Sequence, residues 1–317
     1  MSDESALYQM MAYYTKREPD LYTDAILKAL NGHTMAVELV AKQMALHQLT
    51  SREMYEKLCA EGISGDGGKV RQLKDSTLRE KTAFHHMEIL FSVLDLSESE
   101  KQVLRCAALV GATSMERQYF EVISDLNEAE ISSLDRLIQS GWISEVYQNE
   151  MCTLSTHPLI VEVLCEKLRP NSRECKRILI MSGAVASYIE KSENAEQRFL
   201  SVQWLDHMAH HIQGDDPELS YFFGTMCYPH SSVLSELGEF QDCNIIAAEA
   251  LECFQKNFGE LHEQMQWAYL MVGDNYRKAG DKENAKRYYD LAIRVLREND
   301  YETDELEERV EEILQGM

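Results

Sequence analysis

The chain has 317 residues, a formal net charge of -23 and 44% hydrophobic residues, with 5 prolines and 15 glycines. This length allows two or three compact domains, and the composition is typical of an ordered, mostly helical protein. The charge disfavours general affinity for nucleic acid or an anionic membrane, because both require Lys and Arg to neutralise phosphates. The apolar runs are far shorter than the roughly 18 residues of a membrane span, and the N-terminus is acidic, so we predict a cytoplasmic protein without membrane segments.

The first 62 residues predict a small helical domain. Apolar residues recur at helical spacing over 5–14, over 21–44 and over 51–60. The middle stretch is interrupted by Asn31-Gly32-His33, which suits the end of one helix. Thr34 is the predicted N-cap of the next helix.

Glycines cluster in 63–82, which we predict to be a linker. The run Gly65-Asp66-Gly67-Gly68-Lys69 invites comparison with a phosphate-binding loop, whose backbone N–H groups and lysine hold phosphates. The run lacks the G-x-x-x-x-G-K-[S/T] spacing, and Val70 stands where a hydroxyl should bind Mg²⁺. We therefore expect no nucleotide site in this loop.

The segment 83–170 predicts helices followed by a small β-hairpin. Helical spacing of apolar residues recurs over 83–94, 98–110, 115–123 and 131–139. Gly141 then suits a C-terminal cap, and strand patterns follow over 142–147 and 151–155. The last helix starts at Thr156-His157-Pro158, with Thr156 as its predicted cap and Pro158 in its first turn. This order of elements predicts a winged-helix-like domain.

Helices continue over 171–216, where Asn171-Ser172 is the predicted cap of the first and a second covers 197–212.

The remaining segment, 217–317, contains an internal repeat. Gly238 and Gly280 are 42 residues apart, and the same offset aligns Cys243 with Ala285 and Ala250 with Ala292. The second copy matches the spacings of a tetratricopeptide repeat, which it resembles, at Tyr269, Val272, Gly273, Tyr276, Ala285, Tyr289 and Ala292. The apolar face of 306–314 predicts a helix that caps the stack.

Signals for chemistry are sparse. His207 and His211 are one helical turn apart, but Met208 stands where a zinc-binding H-E-x-x-H motif needs glutamate. The eight cysteines form no C-x-x-C pair and are predicted to be reduced packing thiols, and His85-His86 receives no chemical role. His157 lies at a helix N-terminus, where an imidazole caps or packs. We expect no metal site and no enzyme complete within these residues.

Three segments resemble parts of the STAND-type (NB-ARC-like) signal-transducing ATPases. Residues 30–39 resemble the helical lid that carries a G-x-P motif touching adenine, with Thr34 in place of the proline. Residues 96–104 resemble the start of that family's winged helix. Residues 154–163, with His157-Pro158-Leu159-Ile160, resemble its closing helix, in which a histidine of many members contacts the β-phosphate of ADP.

The resemblance implies the sensor and gating half of such an ATPase, and therefore a mainly α fold. Its expected parts are a helical lid-like domain (1–62), a linker (63–82), a winged-helix-like domain (83–170), a helical linker bundle (171–216) and a short TPR-like α-solenoid with a capping helix (217–317). His157 and Thr34 are the implied nucleotide contacts, to ADP or ATP, only when a nucleotide-binding core is joined to the chain. That core is absent here, so the chain is either a fragment of a longer ATPase or a stand-alone relative without the motor.

We therefore expect a non-enzymatic regulatory module whose TPR-like repeats bind a protein or peptide, without a cofactor in isolation. Two alternatives remain. A winged-helix DNA-binding regulator would place the helix over 131–139 in a groove, but Arg136 is the only basic residue there. A pure TPR scaffold would use His157 only for stability.

Overall fold

The computed structural model of the chain is mainly helical with one small antiparallel sheet of three strands, which confirms the predicted mainly α fold class. It describes residues 4–61, 76–93, 95–148, 151–171, 173–190, 203–205, 207–208, 248, 251–252, 254–256 and 258–316. Among these residues, no helix combines the length and apolar character needed to cross a bilayer.

The elements of the described chain are, in order, α1 (Glu4–Thr15), α2 (Leu21–Ala29), α3 (Thr34–Leu46), α4 (Ser51–Ala60), α5 (Ser76–Val93), α6 (Glu98–Val110), β1 (Met115–Glu116), α7 (Arg117–Ile123), α8 (Glu128–Gln139), β2 (Ser144–Gln148), β3 (Met151–Ser155), α9 (Pro158–Leu168), α10 (Lys176–Glu190), α11 (Met265–Lys278), α12 (Lys282–Glu298) and α13 (Asp304–Gln315). Contacts divide the chain into two compact units. The first unit is Met1–Arg117 with Leu126–Arg169, and the second is Gln118–Asp125 with Pro170–Met317.

Local capping explains where several helices begin. Four of the described helices start with a capping box, in which the N-cap side chain and the third helical residue satisfy each other's backbone N–H groups. The pairs are Asp20 with Thr23, Thr50 with Glu53, Ser97 with Glu100, and Asn127 with Glu130. The predicted helices over 51–60 and 98–110 are confirmed at both ends. The helix predicted to start at residue 83 begins earlier, at Ser76, within the predicted linker.

The end of α8 leads directly into the hairpin. Gly141 takes a left-handed backbone (φ 85°), as its predicted capping role requires. Its N–H donates to the carbonyl of Ile138, and the N–H of Trp142 donates to that of Leu137, both at 3.0 Å. These two bonds form a Schellman motif. Trp142 is then fully buried, with its ring edge-on to Phe91 of α5 at 5.8 Å.

The sheet has the strand order β1-β3-β2. The predicted hairpin is confirmed, with Val146 opposite Thr153, although its first strand starts at Ser144 instead of Trp142. The helix predicted from residue 115 is wrong at its start, because Met115 pairs with Leu154 as a strand and α7 begins at Arg117. That pairing depends on a residue distant in the sequence, which local helical spacing does not reveal.

In the second unit, α11 and α12 form an antiparallel hairpin joined at Gly280, whose φ is 78°. The helices cross closely at Gly273, where an added Cβ would lie 2.8 Å from the ring of Tyr289. One apolar cluster joins α12 to α13 and comprises Ala285, Tyr289, Ile293, Val310 and Leu314. The apolar face predicted for the last helix is therefore confirmed.

Two groups of expectations lie outside the described residues. They are the glycine-rich run 65–69 and the turn 214–217, which mark the predicted domain boundaries, and most of the first predicted repeat copy over 221–255. The proposed division into domains therefore stays a prediction.

Candidate functional site

His157 is the N-cap of α9. Its backbone is extended, and its Nδ1 accepts a 3.2 Å hydrogen bond from the backbone N–H of Leu159. Pro158 occupies the first turn, as predicted. The prediction that Thr156 caps this helix is wrong, because Thr156 lies before the cap position and is buried at 5% exposure. The expectation that the His157 imidazole could cap the helix is confirmed, and the residue is exposed.

His33 has the same role at the start of α3. Its Nδ1 accepts a 3.4 Å hydrogen bond from the backbone N–H of Ala36. The prediction that Thr34 is the cap is wrong, because Thr34 is already the first helical residue. Asn31 and Gly32 both take left-handed backbone conformations, with φ of 52° and 63°, so that His33 is left as the last non-helical residue.

The charge of one capping histidine acts on the other, although a long stretch of sequence separates them. The pKa of His33 is lowered by burial and, secondly, by the charge of His157. Two imidazoles influence each other in this way only when their positive charges are near enough to repel. That Thr34 and His157 contact a nucleotide stays a prediction.

A third histidine, His86 of α5, is influenced by the charge of His33. It is 8% exposed, and its Nδ1 has no hydrogen-bond partner. Burial, followed by the charges of His33 and His85, lowers the pKa of His86 to about 4, so its imidazole is neutral at neutral pH. Sequence reasoning gave His86 no role, and no local signal could have linked it to His33.

The start of each of these two helices suits an anion. Each helix N-terminus has backbone N–H groups without intrahelical partners and the positive end of the helix dipole. Because Nδ1 of each capping histidine accepts a backbone hydrogen bond, the neutral imidazole must carry its proton on Nε2. His33 and His157 therefore each offer one N–H donor in addition to the helix ends.

The other residues considered for chemistry are the His207–His211 pair and the cysteines. His211 lies outside the described residues, so the His207–His211 spacing is not tested. Within the described ranges, no group of three or more His, Cys, Asp or Glu side chains is placed to hold a metal. Of the five described cysteines, all free, Cys106 and Cys175 are buried as predicted and Cys59 is exposed.

The α11–α12 hairpin carries aromatic side chains on two sides, because Trp267 and Tyr276 are nine residues apart on α11 and lie on opposite faces of that helix. Trp267 is 60% exposed on α11, which is unusual for the largest apolar side chain. Tyr276 and Tyr288 stack with their ring centroids 5.6 Å apart, and the guanidinium of Arg287 lies 5.7 Å from the Tyr288 ring centroid. Aromatic and arginine side chains are enriched where proteins bind proteins.

Comparison of the chain with protein-family models, with curated proteins and with solved structures finds no match. Function is therefore argued from the residues and their geometry.

Proposed function

We propose that this chain is a non-enzymatic regulatory and protein-interaction module, similar to the sensor and gating half of a STAND-type ATPase. One observation carries the proposal. The two segments that resemble nucleotide-contacting motifs of that family, around Thr34 and His157, each start a helix capped by a histidine, and after burial the charge of His157 lowers the pKa of His33. A phosphate group is a natural ligand for a helix N-terminus.

In this proposal, residues 83–170 are a winged helix that senses the phosphate end of a nucleotide through His157. The order helix, short strand, two helices, hairpin and helix supports it. So does the pairing of β1 with β3, which brings the strand after α6 into the sheet of the hairpin. The lid-like segment 1–62 would contribute His33 and Thr34 to the same phosphate.

The segment 217–317 is proposed to bind a protein or peptide through TPR-like helical pairs. The α11–α12 hairpin supports this, because Gly273 allows the close crossing that a small residue at this spacing predicts. The exposed Trp267 is a suitable anchor for a partner. Replacement of Trp267 by Ala should weaken partner capture and leave the fold unchanged, since its side chain is mostly in solvent.

The winged-helix DNA-binding alternative is disfavoured by the charges of the described surface. Arg136, the basic residue of α8, already donates to Glu100 at 3.1 Å and to Ser133. The hairpin exposes Val146, Tyr147 and Met151, which are not phosphate-binding side chains. A salt-dependent shift of DNA on a gel would support this alternative over the proposed function.

Calorimetry with ADP and ATP tests the non-enzymatic part. The isolated chain should show no saturable micromolar binding and release no phosphate, because one face of a nucleotide site does not enclose the ligand. Micromolar binding would overturn this part.

When the chain is joined to a nucleotide-binding core, His157→Ala should speed the loss of ADP, whereas His47→Ala, at the opposite end of α3, should not. A pure scaffold predicts that His157→Ala changes only stability.

A further inference from the structure

Three large apolar side chains are exposed at the end of the second unit where α11 begins and α12 ends. They are Leu261, Trp267 and Tyr301, with exposed fractions of 39%, 60% and 53%. The two helix ends adjoin because α11 and α12 are antiparallel. A single exposed apolar side chain is ordinary, but several at one place are typical of an interaction surface.

Hydrogen bonds between the two segments bring these side chains together. Asn299 donates from Nδ2 to the carbonyl of Leu261 at 2.9 Å, and the hydroxyl of Tyr301 donates to Oε2 of Glu263 at 3.0 Å. Trp267 follows Glu263 by four residues, and the carbonyl of Glu263 accepts a helix-like backbone hydrogen bond of 3.2 Å from the residue three positions on. Side chains four apart on such a path lie on one face. We call Leu261, Glu263, Trp267 and Tyr301 the end surface.

The loop over 259–264 is held in place by two further contacts. The buried Tyr269 donates from its hydroxyl to the carbonyl of Glu260 at 3.3 Å. The ring of His262 stacks on that of Phe258 with the centroids 4.8 Å apart. A surface that is ordered before binding loses less conformational entropy when a partner docks.

Carboxylates flank the end surface along both segments. The stretches 259–267 and 298–305 contain seven Asp or Glu residues and no Lys or Arg. All seven side chains are exposed: Glu260, Glu263, Glu298, Asp300, Glu302, Asp304 and Glu305. Arg297, the next residue along α12, is paired with Glu307 at 2.7 Å. The local field is therefore negative, which attracts cationic groups and repels phosphates and acidic peptides.

This negative charge belongs to one end of the hairpin. The stretch 277–287, around the turn at Gly280, contains five basic and two acidic residues. A second copy of the chain could offer that basic turn, but two chains of net charge -23 repel each other. The charges therefore favour a different, basic partner.

We propose that the end surface docks a segment of a partner protein that combines apolar side chains with Lys or Arg. An apolar side chain of the partner packs on Trp267, and a cationic group lies near Glu263 and the aromatic rings, whose faces attract cations. Apolar contact supplies most of the affinity, because each exposed ion pair contributes little. This inference rests on the proposed function and names the chemistry of the partner.

Selection from a random peptide library on the immobilised full chain tests the inference. Peptides that also bind the Trp267→Ala variant are removed by counter-selection. That variant keeps every charge, so the general attraction of basic peptides to an acidic protein is subtracted. We expect the remaining peptides to be rich in Lys or Arg next to Leu, Ile or Phe, and to bind Trp267→Ala about tenfold more weakly in fluorescence anisotropy.

Two further variants separate charge from apolar contact. Glu263→Gln keeps an acceptor for the Tyr301 hydroxyl and removes one charge, so it should weaken binding about threefold at low salt and little at high salt. Tyr147→Ala is the matched control, because Tyr147 is 71% exposed in the first unit, and it should change nothing. Circular dichroism of each variant verifies its fold.

Tryptophan fluorescence locates the bound peptide. Trp142 and Trp204 are buried, whereas Trp267 is exposed. A peptide on the end surface should therefore shield Trp267 from quenching by acrylamide.

Four results would overturn the inference, and they bear differently on the proposed function. Peptides that depend on Trp267 but are not enriched in Lys or Arg refute the basic partner and leave the protein-binding role intact. Loss of all peptides in the counter-selection places the contact elsewhere, with the same consequence. Self-association of the chain that Trp267→Ala abolishes would make the occupant a second copy. A library in which nothing binds either protein refutes both the inference and the protein-binding role.

Discussion

The ring of Tyr289 on α12 occupies the space that a side chain on Gly273 of α11 would need. Its Cδ1 and Cε1 lie 2.8 Å from the position of an added Cβ, and Tyr289 is 2% exposed. The ring cannot easily move, because its hydroxyl donates a 2.7 Å hydrogen bond to Asp274 on α11. The packing of the Tyr289 ring against the backbone of Gly273, together with its hydrogen bond to Asp274, therefore fixes where the two helices cross.

Gly273→Ala should therefore destabilise the hairpin by roughly 1–3 kcal/mol, the usual cost of overpacking a close contact. Chemical denaturation, followed by circular dichroism, measures the change. Gly316→Ala is the matched control, since its Cβ would meet nothing closer than 3.6 Å and its backbone is already right-handed. The control should stay within about 0.5 kcal/mol of the original chain. Equal stability of the two variants would contradict the close crossing.

The buried His86 predicts acid sensitivity. Its pKa is lowered from 6.5 to about 4, chiefly by burial and then by His33 and His85. A lowered folded-state pKa means that the unfolded chain binds the proton first, so stability is complete above pH 6.5 and falls as the pH drops towards 4. The loss over that window is about 3 kcal/mol.

His86→Asn should flatten the fall in stability between pH 6.5 and pH 5, where carboxylates contribute less. His85→Asn serves as the control, because His85 is exposed and lies beside His86 in the sequence. Urea unfolding across this pH range gives the comparison. An unchanged slope in His86→Asn would show that His86 is not the buried titrating group.

Arg117 should be important for the position of the hairpin. Its guanidinium donates to Asp135 of α8 at 2.7 Å and to Glu145 of β2 at 2.9 Å. Burial would raise the pKa of Glu145, but hydrogen bonds from Arg117 and Cys152 outweigh it and lower that pKa. The stability contributed by Glu145 is therefore present above pH 4.5 and lost as the pH falls below it.

Arg117→Gln should cost roughly 1–3 kcal/mol at pH 7 and less once the pH has fallen below the lowered pKa of Glu145, where that carboxylate gains a proton. Arg117→Lys should recover only part, because an ammonium group cannot reproduce the two-pronged contact. Arg52→Gln, which removes an exposed ion pair with Glu56, should have no measurable effect. If Arg117→Gln lowered the free energy of unfolding no more than Arg52→Gln does, the contact of Arg117 with Asp135 and Glu145 would be unimportant for stability.

Local signals in the sequence explain which elements could be predicted. The helices over 51–60 and 98–110 have capping boxes within the helix and its flank, and Gly141 ends α8 because only glycine easily takes its backbone conformation. Such features are complete within a few residues. They need no knowledge of the rest of the fold.

The errors and omissions concern contacts between distant residues. Met115 became a strand because Leu154 pairs with it. Residue preference favours Thr34 and Thr156 as caps, whereas the backbone path makes His33 and His157 the caps. The site call stays a prediction, and the buried His86 could not be found from the sequence because its burial depends on residues distant along the chain.

The most direct test of the proposed role follows the imidazole resonances of the histidines by NMR while ADP is added to the chain. The account predicts that the signals of His33 and His157 shift together at millimolar ADP, that His47 stays unchanged, and that adenosine, which lacks phosphates, moves none of them. Shifts that are the same for adenosine and ADP, or signals of His33 and His157 that do not respond to ADP, would contradict the phosphate-sensing role.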